Sequence, residues 1–168
     1  QSVAAKINIP FYEVDAHNIV PCWVASSKQE FGAYTLRPRI NRIIDKFLKE
    51  FPKLTRHRFS FSEKPPLIDV NTLLTASGIG KIALNVDWIN SGEKNAVSAM
   101  KRFISKKLSK YDEARNDPSL DGQSGLSPYL HFGQLSAQRL ALAAASARAN
   151  ERSKQAFLEE LIVRRELA

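Results

Sequence analysis

Gly122, Gln123, Ser124, Gly125 and Ser127 place two glycines, an amide and two hydroxyls in one short turn, and Pro128 follows at once. Ser127-Pro128 predicts a helix start, since Pro suits the first helical position and Ser the cap. Consecutive backbone N–H groups at such a start form a concavity suited to a phosphate. The turn matches neither the Walker pattern nor the dinucleotide glycine fingerprint, so a plain capped helix start stays open beside the anion site. Later in the chain, Phe157, Glu160, Leu161 and Arg164 fall at i, i+3, i+4 and i+7, one helical face. On their own they read as a core stripe edged by a Glu160–Arg164 pair, worth about 0.3–0.5 kcal/mol if exposed. Near the start, Asp15, His17 and Asn18 follow a strand-like run, a place where α/β folds hold ligands. A loop whose Asp and Asn bond their own backbone is the alternative.

Those groups need elements to hold them. Residues 7–14, "INIPFYEV", predict a strand, with Pro10 at its beginning or on a sheet edge. In "RPRINRIIDKFLKEF" Pro38 suits a first helical turn, and Ile40, Ile43, Ile44, Phe47, Leu48 and Phe51 make one apolar stripe. Residues 52–91 hold Pro52, Pro65 and Pro66 with no sustained period, and read as a connector between domains. A basic helix follows. Ser91 or Gly92 can cap it, Glu93 lies near its positive end, and Ala96, Met100, Phe103, Ile104 and Leu108 are its expected buried positions. Ser136 is expected to cap an Ala-rich helix, and a last helix is expected from Ser153 with no stop signal before Ala168.

The 168 residues are 43% hydrophobic and 25% charged, a balance that fits one ordinary domain or two partial ones. A net charge of +8 favours a polyanionic partner, nucleic acid first, although many basic domains bind nothing anionic. Cys22 is the single cysteine, which excludes an internal disulfide framework and fits a reducing, intracellular setting. One cysteine and three scattered histidines give no metal-ligand spacing, so no metal is expected. No apolar run approaches the roughly 18 residues of a membrane span, and no secretory leader is visible. The absent initiator Met and the unterminated last helix lead to the expectation of a partial chain.

The longer pattern around the turn is more specific. Tyr111, Arg115, Asn116-Asp117-Pro118 and then "GQSGLSPYLHFGQLS", Gly122 to Ser136, closely resemble the flavin-binding segment of the photolyase/cryptochrome superfamily. "VDAHNIVPCWVASSKQEFGAYTLRPRI", Val14 to Ile40, and "FLEELIVRRELA", Phe157 to Ala168, are similar to class II cyclobutane pyrimidine dimer photolyases in particular. The resemblance implies a mostly α fold. Residues 1–51 would be the C-terminal end of an α/β Rossmann-like domain, 52–91 the connector, and 92–168 the first helices of the all-α FAD-binding domain. It implies reduced FAD as cofactor, with any second antenna chromophore unspecified. The implied partner is double-stranded DNA containing pyrimidine dimers, bound by a monomer away from membranes, in the nucleus or cytoplasm.

By the same resemblance, Tyr111, Gln123, Ser124, Gly125, Leu126 and Ser127 contact the FAD phosphates and ribityl chain. Phe157 and Arg164 lie by the flavin, and Glu160 is the catalytic carboxyl that hydrogen-bonds the damaged pyrimidines. Gln123 stands where many relatives outside class II carry Thr, so a hydroxyl contact becomes an amide contact. Val163 stands where other classes carry a Trp that stacks on the dimer. The implied activity is that of a carbon–carbon lyase in DNA repair. The dimer flips out of the duplex, and an electron from photoexcited reduced FAD splits it; residues 1–168 alone are expected to be inactive. A cryptochrome-like photoreceptor and a non-enzymatic basic module that binds nucleic acid are the competing readings.

Overall fold

The computed structural model describes residues 3–59, 62–64, 66–78 and 86–167. Pro65 in the connector and Ala168 at the end of the last helix lie outside them. Gln1–Glu50 and Ser91–Ala168 form one compact unit, and Phe51–Asn90 a second. The segments that the sequence divides between an α/β domain and a helical domain thus pack together in a single unit.

Residues 7–14 do not form the expected strand. They run without regular structure, with Ile9, Phe11, Tyr12 and Val14 exposed, and no described residue is in a strand. A β-rich composition makes a strand only where a neighbour completes the hydrogen-bond ladder, and the described residues supply no such neighbour.

The chain then turns through the Asp15 loop into α1 (Cys22–Ala25) and α2 (Ala33–Phe47). α2 begins behind extended Gly32, so Pro38 lies inside the helix and not in its first turn. Its missing N–H leaves the Tyr34 carbonyl unpaired within the helix, but both residues are exposed, so the loss falls on the solvent side. Leu36 and Ile40 are buried on the inner face, while Ile43, Ile44, Phe47 and Leu48 are half-buried. In the second unit, α3 (Val70–Ala76) is capped by Asp69, whose carboxylate accepts from Asn71 N at 3.0 Å.

α4 (Glu93–Lys106) starts behind Gly92, and a 3-10 turn, Leu108–Lys110, leads into α5 (Tyr111–Ala114). After the glycine-rich turn come α6 (Ser127–His131), α7 (Ala137–Ala145) and α8 (Glu151–Leu158). Ser136 caps α7, its Oγ accepting from Arg139 N at 3.3 Å. α8 starts two residues ahead of Ser153 because Asn150 caps it, accepting from Arg152 N at 2.9 Å and Ser153 N at 3.4 Å. α8 then widens into a π-turn, Glu159–Arg164, and finishes in a 3-10 turn, Arg165–Leu167.

Three rings join these helices. Phe103 of α4 and Phe157 of α8 have centroids 4.7 Å apart, and Tyr111 of α5 stands edge-on to both at 5.8 and 5.2 Å. Ala96, Met100 and Leu108 are buried around them, with Ile104 half-buried. Arg37 of α2 grips Glu159 of the π-turn through both carboxylate oxygens, its Nε 3.0 Å from each. No helix of the described residues is long and apolar enough to cross a membrane. Among them no group of three or more His, Cys, Asp and Glu is placed to hold a metal ion.

Gly122 is buried, and a Cβ on it would run into the Ala114 carbonyl of α5. Glycine therefore lets the turn lie directly on α5. Gly122→Ala is expected to destabilise the fold by about 1–3 kcal/mol, read as a lower melting temperature of the intact protein. An unchanged melting temperature would show that the turn is not seated there.

Candidate functional site

The turn between α5 and α6 is held in shape by its own neighbours. Lys107 Nζ lies 2.6 Å from Asp121 Oδ1 and donates to the Gln123 carbonyl at 3.3 Å. Gln123 Nε2 donates to the Arg115 carbonyl at 2.6 Å, so its amide nitrogen is already committed. Ser124 Oγ accepts from Leu126 N at 3.3 Å. Gly125 takes a left-handed φ of 67°, and Leu126 is wholly buried beneath the turn. Ser127 is the first residue of α6 and not its cap. Leu126 holds the cap position and no side chain bonds there, which departs from the expected Ser cap.

Tyr111, Gln123, Ser124, Ser127, Phe157 and Glu160, six of the residues marked from sequence, line one cleft of about 670 Å³. That volume is within the range of cofactor sites. Gly125, Leu126 and Arg164 do not line it. Gly125 shapes the turn and Leu126 anchors it, while the Arg164 side chain is 57% exposed. The rest of the wall comes from Leu130 and His131 of α6, Leu140 of α7, Leu161, Arg165 and Glu166 of the chain end, and His17 and Asn18.

Glu160 is the polar centre of the wall. Its Oε1 lies 2.7 Å from Arg115 Nη1 and 3.4 Å from Arg164 Nε. Arg115 also stands over the Tyr111 ring, 5.9 Å from its centroid. Burial, reinforced by the Glu160 charge, raises the Tyr111 phenol above its ordinary pKa, against the opposing pull of Arg115. Tyr111 is therefore a neutral hydroxyl in the cleft.

His17 and Asn18 reach the cleft because Asp15 folds the loop around itself. Its Oδ1 accepts from His17 N at 3.0 Å and Asn18 N at 2.9 Å. Its Oδ2 accepts from Asn18 Nδ2 and Cys22 N, both at 3.1 Å. Burial raises this carboxyl, but those bonds outweigh it and hold Asp15 below the ordinary carboxylate range. Asp15 bonds its own backbone, which is the self-bonding loop of the sequence reading, and His17 and Asn18 line the cleft.

Arg165 and Glu166 lie within "FLEELIVRRELA" but carry no site role in the sequence reading. Glu166 Oε1 accepts from Val20 N at 3.2 Å, which ties the chain end to the Asp15 loop. Burial drives its carboxyl up to about 7. The Val20 and Ile19 N–H groups and Arg165 pull the other way, and the Asp15 charge adds to the rise. Burial also lowers Arg165, opposed by Asp15 and Glu166.

No family model matches the chain. It is 40% identical over 161 residues to the deoxyribodipyrimidine photo-lyase of Potorous tridactylus, covering 95% of this chain and 30% of that protein. It is 41% identical over 167 residues to the protein of that name in Oryza sativa subsp. japonica, covering 95% of this chain and 33% of the relative. The Arabidopsis thaliana deoxyribodipyrimidine photo-lyase is also 41% identical, over 170 residues. The chain spans about a third of the length of these curated relatives.

The raised Glu166 carboxyl has a consequence for stability. Between its ordinary value of 4.5 and about 7 the folded protein keeps a proton that the unfolded chain has released. Raising the pH through that window therefore lowers stability, by on the order of 3 kcal/mol at most, and no further loss from this group follows above it. Asp15 acts oppositely and lower down, its contribution being lost as pH falls through its depressed value. Glu166→Gln is expected to flatten the decline of melting temperature across the upper window. A variant that keeps the wild-type profile would remove Glu166 as its source.

Proposed function

We propose, on the premise that the chain belongs to the photolyase family, that it forms the flavin-nucleotide side of a light-dependent DNA repair enzyme for cyclobutane pyrimidine dimers. One observation carries this reading. A hydroxyl- and glycine-rich turn, an aromatic wall and an ion-paired carboxylate come from separate parts of the chain and line a single cleft. The residues fit FAD. Ser124, Ser127 and the backbone of the turn supply donors for a diphosphate. Tyr111 and Phe157 supply flat apolar surface. In this reading residues 1–51 complete an α/β Rossmann-like domain, and 92–168 open the helical flavin domain.

When bound, reduced FAD supplies under blue or near-UV light the electron that opens the cyclobutane ring. The chain's own residues position and shield. The turn fixes the phosphates, the rings exclude water, and Glu160 meets the lesion. Arg115 and Arg164 both approach Glu160 Oε1, and among the described residues no hydrogen bond falls on Oε2. That oxygen is left to accept from a pyrimidine N–H or to stabilise charge that develops on the dimer. A net charge of +8 favours the DNA backbone, with affinity that falls as salt rises.

The test uses the intact protein. It is expected to purify with a flavin absorption spectrum and to repair a dimer-containing oligonucleotide only when irradiated. Colourless protein would remove the flavin reading, and bound flavin without repair would turn the assignment to a photoreceptor. Glu160→Ala is expected to lower repair per absorbed photon by about tenfold or more while flavin stays bound. An unchanged yield would take Glu160 out of the mechanism.

A further inference from the structure

One side chain joins the last 3-10 turn to the loop that follows residue 14. Glu166 Oε1 accepts from Val20 N at 3.2 Å, and the Ile19 N–H bonds the same carboxyl. Ile19 and Val20 are buried. His17 and Asn18, directly before them in the chain, line the cleft. Whatever seats Ile19 and Val20 therefore sets where His17 and Asn18 stand. The hydrogen bonds of Asp15 stay within residues 15–22, so they shape the loop without fastening it to another element. The Glu166 bond spans 146 residues and does fasten it.

A carboxyl is a conditional fastener in such a place. Glu166 Oε2 is buried and takes no hydrogen bond among the described residues. Asp15 of the loop and Arg165 of its own turn act on it with opposite sign. On the cleft side it shares a wall with His17 and Glu160, and Glu160 is taken by Arg115. Cys22, Lys28 and Glu30 line a second cavity of about 290 Å³ with it; Lys28 is exposed and Glu30 is taken by Arg39. A protonated carboxyl keeps Oε1 on the loop amides and adds no charge. An ionised one puts a buried charge beside the Asp15 carboxylate with one oxygen unbonded, which is costly. Swinging the loop away admits water to that oxygen and relieves the cost. Burial and Asp15 accordingly hold the proton up to about 7, against the pull of the two amides and Arg165.

We propose that Glu166 is a positioning residue of the cleft: its protonated carboxyl seats His17 and Asn18 in the wall, and loss of that proton releases them. The opening is local. It leaves the helices packed, and it needs no ligand in the cleft.

Amide exchange of the intact protein tests it. Protection is the exchange rate of an unstructured peptide divided by the observed rate at the same pH. At Ile19 and Val20 it is expected to fall at least about tenfold from about pH 5.5 to about pH 8.5. At the upper pH it is also expected to be at least about tenfold below that of Leu140, whose N–H bonds the Ser136 carbonyl inside α7. Glu166→Gln keeps an acceptor for Val20 and cannot ionise, so its loop protection is expected to stay within about twofold across the range. His17→Gln removes the neighbouring imidazole and is expected to keep the wild-type fall. Constant protection of Ile19 and Val20 in the wild type would overturn the proposal. So would protection equal to that of Leu140, which would mean that the loop opens only when the whole protein unfolds. A fall that survives in Glu166→Gln, or vanishes in His17→Gln, would assign the proton elsewhere and overturn it too.

Discussion

Phe157 is 4% exposed and lies against both Phe103 and Tyr111, so one side chain fixes α8 to α4 and α5 together. Burying an aromatic side chain of this kind contributes on the order of 2–3 kcal/mol, with a further increment from the edge-on ring geometry. The positions of Tyr111, Glu160 and the glycine-rich turn follow from that contact. Tyr111 begins α5, and one turn later Arg115 leaves the helix with its guanidinium over the Tyr111 ring and its Nη1 on Glu160. The Arg115 carbonyl takes the Gln123 amide, which sets the glycine-rich turn against the same helix. Carboxylate, turn and ring wall are thus three consequences of one apolar contact.

The charges are arranged so that the cleft is neither strongly cationic nor strongly anionic. Glu160 meets Arg115 and Arg164, and Glu159 is taken by Arg37 on the outer side. Asp112 is matched by Arg152, and Asp121 by Lys107. Exposed pairs such as these add little stability each. Together they leave little unpaired charge around the cleft. Glu166 is the exception. Arg165 attracts it, but burial and Asp15 outweigh that attraction.

Much of this was legible from residue types. The stripe Ala96, Met100, Phe103 and Leu108 is buried where the 3.6-residue period put it, because a helix with one apolar face has one way to hide it. The Ser136 cap was readable for the same local reason. Non-local requirements were less readable. "INIPFYEV" has strand composition, but composition cannot supply a neighbouring strand. Pro38 looked like a helix start, yet the helix begins at Ala33, and burial of Leu36 carries it back past the proline. Asn150, directly before the helix, is a better cap than Ser153, and its side chain takes the Arg152 N–H.

The chain-end motif shows how a small backbone change redirects chemistry. Counting Phe157, Glu160, Leu161 and Arg164 along one face assumes an α-helical turn throughout. From Glu159 the backbone instead follows π geometry, and Arg165 N donates to the carbonyl of Glu160, five residues back. A π-turn holds roughly one residue more between bonded partners than an α-turn, so positions beyond it fall about one residue behind the α count. Phe157, Glu160 and Leu161 precede most of that lag and still face the cleft. Arg164 has drifted off the face, and its successor Arg165 takes its place on the wall, bringing Glu166 with it. Two adjacent arginines look interchangeable in "IVRREL". The extra residue in the turn decides that one is a solvent-side partner for Glu160 and the other part of the cleft wall.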